Sequence, residues 1–203
     1  MVLSDGMGKV QQMTKRATDI VCALIGMIIL SPLFLIIAIK LKIQRNGPVI
    51  FRQERVGKEG ETFIIYKFRT MTSEIEDEKP QLVPICDESN STRLEQFLRS
   101  HHLDELPQLC NVLKGDMSIV GPRPERRFFV HQIMEVDSRY EQLYQIKPGL
   151  TSEATLYNGY TDTMEKMLRR LEMDLSYLQH QSLWLDFRIT MKTAINMITG
   201  KKF

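Results

Sequence analysis

The 203-residue sequence predicts an α+β fold: a mainly helical, membrane-associated protein with a small β-hairpin and an amino-terminal membrane helix. Residues 20–39 carry no charge over a length that suffices to cross a bilayer, at ~1.5 Å per helical residue. Residues 49–52 and 62–68 are rich in aromatic and β-branched side chains and flank a turn at 57–60, which predicts the hairpin. Helical periodicity in much of the remaining chain predicts that helices dominate.

Two features of the apolar segment argue against a straight crossing. Ser31-Pro32 lies near its middle, where proline removes a helix hydrogen bond and bends the helix. Basic residues stand on both flanks, and the positive-inside tendency keeps such flanks in the cytoplasm. A re-entrant helix that bends at Ser31-Pro32 satisfies both facts, with the Ser31 hydroxyl bonding a carbonyl freed by Pro32. A straight anchor and a buried core helix stay open as alternatives, whereas the length of the run disfavours a signal peptide.

The pattern changes after Gly47-Pro48. We therefore divide the chain into residues 1–46, the membrane helix with its flanks, and residues 47–203, a single cytoplasmic unit. In the second part, the acidic residues 72–92 contain two prolines and predict an exposed loop. A helix is predicted over Arg93–Ser100, and another from Asp104, as its N-cap, to Gly115.

Three more helices are predicted toward the carboxyl end. Residues 124–144 form the first, before the break at Lys147-Pro148-Gly149. Residues 164–178 show an apolar stripe at helical spacing, which is typical of a core-facing helix. Residues 182–199 form the last, and its apolar side carries Trp184, Phe187, Met191, Ile195 and Ile198. That side packs inside the protein or lies in the lipid interface, and core packing is the favoured interpretation.

Composition limits the classes of function. The net charge of +2 is uneven, because residues 1–70 carry 11 Lys/Arg against 5 Asp/Glu. This basic part fits an anionic membrane surface, a nucleotide phosphate or simply a solvated face. Three cysteines without CxxC spacing argue against a disulfide framework. Four scattered histidines argue against a histidine-based metal site, and no glycine-rich phosphate or dinucleotide motif is present.

Two adjacent carboxylates, Asp104 and Glu105, stand at the predicted start of a helix. The amino terminus of a helix presents unpaired N–H groups and a partial positive charge, which lower the pKa of a carboxylate and also hold phosphate. Asp104 would be ionised there at neutral pH, and carboxylates can attack phosphorus to form an acyl phosphate. For the dipeptide alone, a simple helix cap followed by a favourable first-turn residue is the preferred interpretation.

Cations near these carboxylates complete the candidate site. Two anions would repel an incoming diphosphate, so such a site needs Mg²⁺ or arginines. Arg99 and Arg123 are near in sequence, and Lys67 lies on the second predicted strand. Two prolines fix the backbone around Arg123 in Gly121-Pro122-Arg123-Pro124, which suits bidentate phosphate binding. Taken singly, the tetrapeptide also fits an ordinary turn, and the cations also fit a solvated surface.

Together these segments are specific. The run from Leu103 to Pro124 closely resembles the bacterial monotopic phosphoglycosyl transferases, also called the bacterial sugar transferase family. Further matching motifs occur in the same order over nearly the whole chain, at residues 15–19, 31–32, 53–57, 66–71, 147–151 and 182–186. The chain length is similar to that of the minimal catalytic form of the family.

This resemblance implies a function. Such enzymes transfer a sugar-1-phosphate from a UDP-sugar to a polyprenol phosphate, usually undecaprenyl phosphate, and release UMP. The reaction is the first membrane step in the assembly of capsules, exopolysaccharides and other bacterial glycoconjugates. The resemblance also implies a re-entrant helix broken at Ser31-Pro32, the cytoplasmic face of the bacterial inner membrane, and no nucleic-acid partner. A homodimer stays open.

The resemblance also implies roles for individual residues. Asp104 would be the nucleophile that forms a covalent aspartyl-phosphosugar intermediate. Glu105 would support Mg²⁺, with Asp104 as a second metal ligand, and would help to deprotonate the incoming lipid phosphate. Lys67, Arg99 and Arg123 match active-site positions, and we expect these cations to hold substrate phosphates.

Two other segments are relevant to this comparison. Asp186 matches a supporting position, where it would orient a cation or touch the metal. Relatives commonly have Asn-Gly-Arg soon after the motif at 147–151, whereas here Asn158-Gly159 is followed by Tyr160. This departure affects recognition of the donor sugar or nucleotide and leaves Asp104 intact.

Two other functions stay open from the residues alone. Another Mg²⁺-dependent phosphoryl transferase or phosphatase would use the same carboxylates and release free phosphate or sugar phosphate without a lipid acceptor. A non-catalytic membrane scaffold would release no UMP from any nucleotide sugar.

Overall fold

Helices predominate in the computed structural model, which describes residues 6–44, 47–70, 92–159 and 161–199. They accompany two small two-stranded sheets, so the predicted α+β class is confirmed. In chain order the elements are α1 (Lys9–Ile43), β1 (Ile50–Val56), β2 (Thr62–Phe68), α2 (Arg93–Ser100), α3 (Leu109–Lys114), β3 (Ser118–Val120), α4 (Arg127–Val136), β4 (Gly149–Thr151), α5 (Glu153–Tyr157), α6 (Met164–His180) and α7 (Leu183–Thr199). Short 3-10 segments lie at Lys58–Gly60, Leu103–Gln108 and Ser138–Gln145. The loop predicted at 72–92 lies outside the described residues, except for Thr92.

Helix α1 has 35 residues and is the one helix in the described ranges that is long and apolar enough to cross a membrane. Pro32 lies inside it, and Ser31 Oγ donates to the carbonyl oxygen of Ile28 at 2.8 Å. Because that oxygen would otherwise accept from the N–H at position 32, the expected role of the Ser31 hydroxyl is confirmed. Ile28 and Ile29 are 71% and 69% exposed, which does not fit a core helix. The helix continues through Pro32, and its re-entrant course stays a prediction.

Both ends of α1 pack against the rest of the protein. Near the start, Lys15 donates to the Val120 carbonyl at 3.0 Å, and further along Ala23 is buried with Leu109 of α3. Toward the end, Leu41 is buried with Phe68 of β2 and Leu98 of α2. Ile28, Ile29 and Leu35, all strongly exposed, lie between the Ala23 and Leu41 contacts, so a bilayer can cover this stretch of α1 while both ends stay on the protein.

The predicted hairpin is confirmed and is longer than expected. Strands β1 and β2 pair antiparallel, with Phe51 opposite Lys67. A second sheet, in which β3 and β4 pair in parallel, is not predicted by the sequence. Each of its strands has only three residues, which is too short for the alternating pattern that identifies a strand.

Two predicted helices differ in the structure. The helix expected from Asp104 is a 3-10 segment followed by α3, with His102 rather than Asp104 at the cap position, although Gly115 ends it as predicted with φ of 99°. The helix expected over residues 124–144 is interrupted at Asp137, whose backbone is extended and whose side chain accepts from the Arg139 N–H at 2.9 Å. This local bond competes with continuation of the helix.

The last two helices confirm their predicted positions. In α6 the apolar stripe is buried, as expected. The stripe on α7, in contrast, is exposed: Trp184 by 68%, Phe187 by 54%, Met191 by 46% and Ile195 by 52%. Core packing is therefore the wrong interpretation for α7, since the core-facing side carries Ile189, which is only 3% exposed. The side chain of Ile198 lies outside the described residues.

Candidate functional site

The carboxylates Asp104 and Glu105 lie in the 3-10 segment that packs against β2. His102 precedes them with φ of 54°, a left-handed conformation that is uncommon for residues other than glycine. Its carbonyl oxygen accepts from the Glu105 N–H at 3.2 Å, which closes a tight turn. Asp104 and Glu105 are each only 8% exposed, so this turn holds two acidic side chains largely out of water.

Glu105 is the point at which two predicted cations meet. Lys67 Nζ donates to Glu105 Oε1 at 2.6 Å, and Arg123 Nη2 donates to the same oxygen at 3.1 Å. Lys67 is placed by the register of the hairpin, and Arg123 by the loop after β3. The structure thus brings together three site residues that are distant in sequence.

The two carboxylates differ in their pKa. Burial alone would raise the pKa of Glu105, but the charges of Arg123 and Lys67, and their hydrogen bonds, hold it well below its usual range. For Asp104, burial and then the negative charge of Glu105 raise the pKa to about 6. Glu105 is therefore a fixed anion that its partners neutralise, whereas Asp104 carries a charge that is poorly compensated.

The expected lowering of the Asp104 pKa is wrong in direction. It assumed that Asp104 caps an α-helix, but Asp104 lies inside a short 3-10 segment. Burial and the adjacent Glu105 then dominate over the helix terminus. Asp104 is nevertheless mostly ionised at pH 7, so the expected form of this side chain is retained.

Backbone pairing fixes the loop that carries Arg123. The Gly121 N–H donates to the Thr151 carbonyl at 3.0 Å, and the Gly149 N–H donates to the Pro122 carbonyl at 2.8 Å. A Cβ atom at Gly121 or at Gly149 would collide with the facing backbone. Only glycine permits this close approach, and the loop therefore has a defined path toward Glu105.

A buried ion-pair cluster supports the same loop from behind. Glu125 accepts from Arg170 at 2.9 Å and lies 3.5 Å from Arg55. Arg55 also donates to the Pro124 carbonyl at 3.3 Å, which ties β1 to the loop. The sequence places Arg55 in a matching motif, but no local pattern identifies its partner 70 positions away.

Asp186 lies in the first turn of α7 and contacts Lys15 of α1. Lys15 Nζ is 2.5 Å from Asp186 Oδ2, and the Tyr177 hydroxyl donates to Asp186 Oδ1 at 2.6 Å. Neither Lys15 nor Tyr177 is predicted as a site residue. Lys15 stands in a matching motif, and the helical periodicity around Tyr177 indicates only a core position.

Arg99 precedes the two carboxylates along the chain, and the segment that departs from the relatives contacts Arg170 of the ion-pair cluster behind the Arg123 loop. Arg99 is half-buried in the last turn of α2, five residues before Asp104, and its phosphate-binding role stays a prediction. Ser152 caps α5 by accepting from the Thr155 N–H at 2.9 Å. Arg170 reaches the Gly159 carbonyl at 3.4 Å, whereas Tyr160 lies outside the described residues.

The carboxylate oxygens of Asp104 and Glu105 are ligands of the chemical type that Mg²⁺ prefers. Across the described ranges, no group of three or more His, Cys, Asp or Glu residues gathers to hold a metal. Mg²⁺ requires less, because it commonly binds one or two carboxylates together with waters and substrate phosphates. Asp104 and Glu105 supply two carboxylates. The two positive charges of Lys67 and Arg123 equal the two negative charges of Asp104 and Glu105. A bound diphosphate would add further negative charge, which a divalent cation can neutralise.

Fold and site define a class of protein: a small α+β protein with one exposed apolar helix and a buried carboxylate pair faced by cations suited to phosphate. The bacterial sugar transferase family matches residues 10–200, and the chain belongs to this family. The predicted resemblance is thus confirmed.

Similar proteins support this placement. The UDP-glucose:undecaprenyl-phosphate glucose-1-phosphate transferase of Escherichia coli (strain K12) is 39% identical over 194 residues, 95% of this chain and 42% of the relative. The UDP-N-acetylgalactosamine-undecaprenyl-phosphate N-acetylgalactosaminephosphotransferase of Aeromonas hydrophila is 40% identical over 186 residues, 92% of this chain and 44% of the relative. An exopolysaccharide production protein of Rhizobium leguminosarum bv. phaseoli is 36% identical over 195 residues, 93% of this chain and 98% of the relative. The chain spans less than half the length of the first two and nearly all of the third.

Proposed function

We propose that the protein transfers a sugar-1-phosphate from a UDP-sugar to a polyprenol phosphate and releases UMP. The observation that carries this proposal is the Glu105 carboxylate, held by Lys67 and Arg123 directly beside Asp104. This arrangement offers one anionic nucleophile and two cations that can turn toward a substrate phosphate. The relatives from Escherichia coli and Aeromonas hydrophila, named as transferases acting on undecaprenyl phosphate, support the classes of donor and acceptor.

In the first step, a carboxylate oxygen of Asp104 attacks the phosphorus atom that bears the sugar. The new oxygen–phosphorus bond forms as the bond from this phosphorus to the bridging oxygen breaks, and UMP leaves with that oxygen. Arg123 and Lys67 stabilise the negative charge on the transferring group. The product is an aspartyl-phosphosugar on Asp104.

In the second step, a phosphate oxygen of the polyprenol phosphate attacks the same phosphorus atom. The bond to Asp104 breaks, which regenerates the carboxylate and releases a polyprenyl-diphosphate sugar. Because the pKa of Glu105 is held well below its usual range, Glu105 is a weak base. We therefore assign it to holding the cations and the metal rather than to removing a proton from the acceptor.

Asp104 and Glu105 would hold Mg²⁺. When bound, this ion supplies charge neutralisation and polarises phosphoryl oxygens. Lys67 and Arg123 both donate to Oε1 of Glu105 and hold this carboxylate in place beside Asp104.

We infer that α1 enters the cytoplasmic face of the bacterial inner membrane as a re-entrant helix. Lys15 near the start of α1 and Leu41 near its end both contact one folded unit, which supports this course because a straight crossing would separate these residues by a bilayer. The exposed stripe of α7 is flanked by Arg188 and Lys192, also exposed, and suits the anionic lipid interface.

The test is a screen of UDP-sugars with undecaprenyl phosphate and Mg²⁺ in detergent or vesicles, with UMP release as the readout. We expect one or a few donors to release UMP. With the donor alone, we expect stoichiometric UMP and a phosphosugar mass on the peptide that contains Asp104 after rapid acid quench. Asp162→Asn, at an exposed carboxylate paired with Lys166, serves as the matched control and should behave as the wild type.

Other outcomes identify the alternatives. Release of free phosphate or sugar phosphate without a lipid acceptor would indicate a phosphatase or another phosphoryl transferase. No UMP from any donor would indicate a scaffold. UMP release that strictly requires the acceptor, with no adduct on Asp104, would indicate direct transfer and reject the covalent step.

A further inference from the structure

Three side chains from three different helices meet next to the backbone of β3. Lys15 of α1 donates to the Val120 carbonyl at 3.0 Å and to Asp186 of α7 at 2.5 Å. Tyr177 of α6 donates to Asp186 at 2.6 Å, and its hydroxyl lies 3.4 Å from the Val120 carbonyl. A hydroxyl has one proton, so the shorter bond to the carboxylate takes it, and Lys15 is the main donor to Val120.

This group is enclosed by the protein. The side chains of Lys15 and Asp186 are only 16% and 13% exposed, and Tyr177 is 2% exposed. Both carboxylate oxygens of Asp186 are engaged, Oδ2 by Lys15 and Oδ1 by Tyr177. Asp186 is therefore committed to bonds within the protein, which suits a structural anchor better than contact with a substrate or a metal.

The anchored carbonyl lies three residues before Arg123. Val120 ends β3, and the chain then passes through Gly121 and Pro122, which β4 holds by backbone bonds. One turn further along α1 from Lys15, Asp19 accepts from the Ser118 hydroxyl at 2.8 Å and from the Ile119 N–H at 3.0 Å. Residues 118–122 are thus held at every position, and α1 holds three of them.

We propose that Lys15, Asp186 and Tyr177 are positioning residues, which set the place of the Arg123 loop relative to the membrane helix. The proposal rests on the proposed function, in which Arg123 binds a transferring phosphate. Its physical basis is that a misplacement of about 1 Å in a group that stabilises transferring charge lowers the rate by about 10²-fold. Loss of Lys15 leaves a buried carboxylate without its cation and a backbone carbonyl without its donor, so the start of the loop shifts.

The first arm of the test is a double-mutant cycle on the full chain, with UMP release as the readout. Lys15→Ala should lower kcat/KM at least ~10-fold in the wild type and by less than ~3-fold in an Arg123→Ala background, because its effect passes through Arg123. Tyr177→Phe removes one hydroxyl and keeps the packed ring, and it should show a smaller loss with the same dependence on Arg123. Lys9→Ala, at an exposed lysine on the same helix, should change neither value.

The second arm does not require activity. Hydrogen–deuterium exchange of the peptide that covers residues 117–126 should be faster in Lys15→Ala and in Tyr177→Phe, with the Gly121 amide affected most, and unchanged in Lys9→Ala. If no donor is turned over by the wild type, the proposed function fails and this arm alone decides the anchoring. Three outcomes would overturn the proposal. The first is an equal loss of kcat/KM from Lys15→Ala with and without Arg123→Ala, and the second is unchanged activity in Lys15→Ala. The third is unchanged hydrogen–deuterium exchange in both Lys15→Ala and Tyr177→Phe.

Discussion

At the scale of single residues, Asp104 and Glu105 are neighbours in the chain but occupy different electrostatic environments. Lys67 and Arg123 neutralise Glu105, so its ionised form stabilises the fold above the pKa of the unfolded chain. Asp104 lacks equivalent partners, and its raised pKa means that folding favours its neutral form. An uncompensated anion reduces stability, and it is also what a nucleophile that attacks phosphorus needs.

Replacement of this anion should separate activity from stability. We expect Asp104→Asn to lower turnover by at least ~10³-fold, because the nucleophile is lost. The same change should raise the free energy of unfolding at pH 7 by about 1–2 kcal/mol, measured by denaturant titration with chelator present. The folded-state pKa lies above the unfolded value, so the gain is largest above pH 6 and disappears below about pH 4, where Asp104 is protonated in both states. A well-folded Asn variant with near-normal turnover would reject the assigned role.

The pH dependence of the first half-reaction should report Asp104 directly. With the donor alone, the rate of UMP release should fall about tenfold per pH unit below the pKa of Asp104, because only the ionised carboxylate attacks phosphorus; this pKa is about 6 without metal and lower when Mg²⁺ is bound. Single-turnover measurements from pH 4.5 to 8 would test this, and they exclude the titration of the acceptor phosphate from the profile. A rate that stays flat down to pH 4.5 at every Mg²⁺ concentration would contradict a raised pKa of Asp104 in the complex with the donor.

At the scale of elements, the sequence predicts long periodic segments well and short ones poorly. Helices α2, α6 and α7 begin and end within a residue or two of their predicted bounds, because their caps and stripes are local features. The parallel pair β3 and β4 escapes prediction, since three residues form no pattern and their pairing partner is distant. The break at Asp137 arises from one side-chain bond that competes with a periodic helix signal.

The course of α1 is the prediction that belongs to this scale. In a cysteine-free background, single cysteines at Val10 and Ile43, both strongly exposed, should react with a membrane-impermeant maleimide from the cytoplasmic side only. Both positions are expected on one side because Lys15, near Val10, and Leu41, near Ile43, contact the same folded unit. Labelling of the two positions from opposite sides of the membrane would establish a straight crossing instead.

At the scale of the whole molecule, contacts between distant segments decide what the sequence cannot predict. Lys15 and Asp186 are 171 positions apart, and neither carries a local signal that identifies the other. The site itself was largely predictable, because Asp104, Glu105 and Arg123 stand within one short run and Lys67 lies on a recognisable strand. The sequence does not predict which side of α7 faces the core, because periodicity defines two faces of the helix and packing decides which one is buried.

The exposed stripe of α7 makes a prediction for the molecule in its membrane. Trp184 is the only tryptophan in the chain, so its emission reports this surface without labelling. On addition of vesicles that contain anionic lipid, we expect a blue shift and quenching by brominated acyl chains, since the indole enters the interfacial region. Phe187→Ser should weaken vesicle binding several-fold, whereas Val136→Ser, at an exposed valine on α4, should not. Unchanged emission with vesicles present would show that this face stays in water.

The packing of Leu109 against Ala23 of α1 has an energetic consequence for the proposed acceptor. Leu109 lies five residues after Asp104, and Ala23 stands near the start of the apolar segment, so Asp104 is close along the chain to a residue that packs on the proposed membrane helix. Extraction of a polyprenyl tail with dozens of carbon atoms into water would require tens of kcal/mol, at ~0.8 kcal/mol for each methylene group. Under the proposed function, the protein avoids that cost because its chemistry takes place at the membrane surface, where only the phosphate of the acceptor has to leave the bilayer plane.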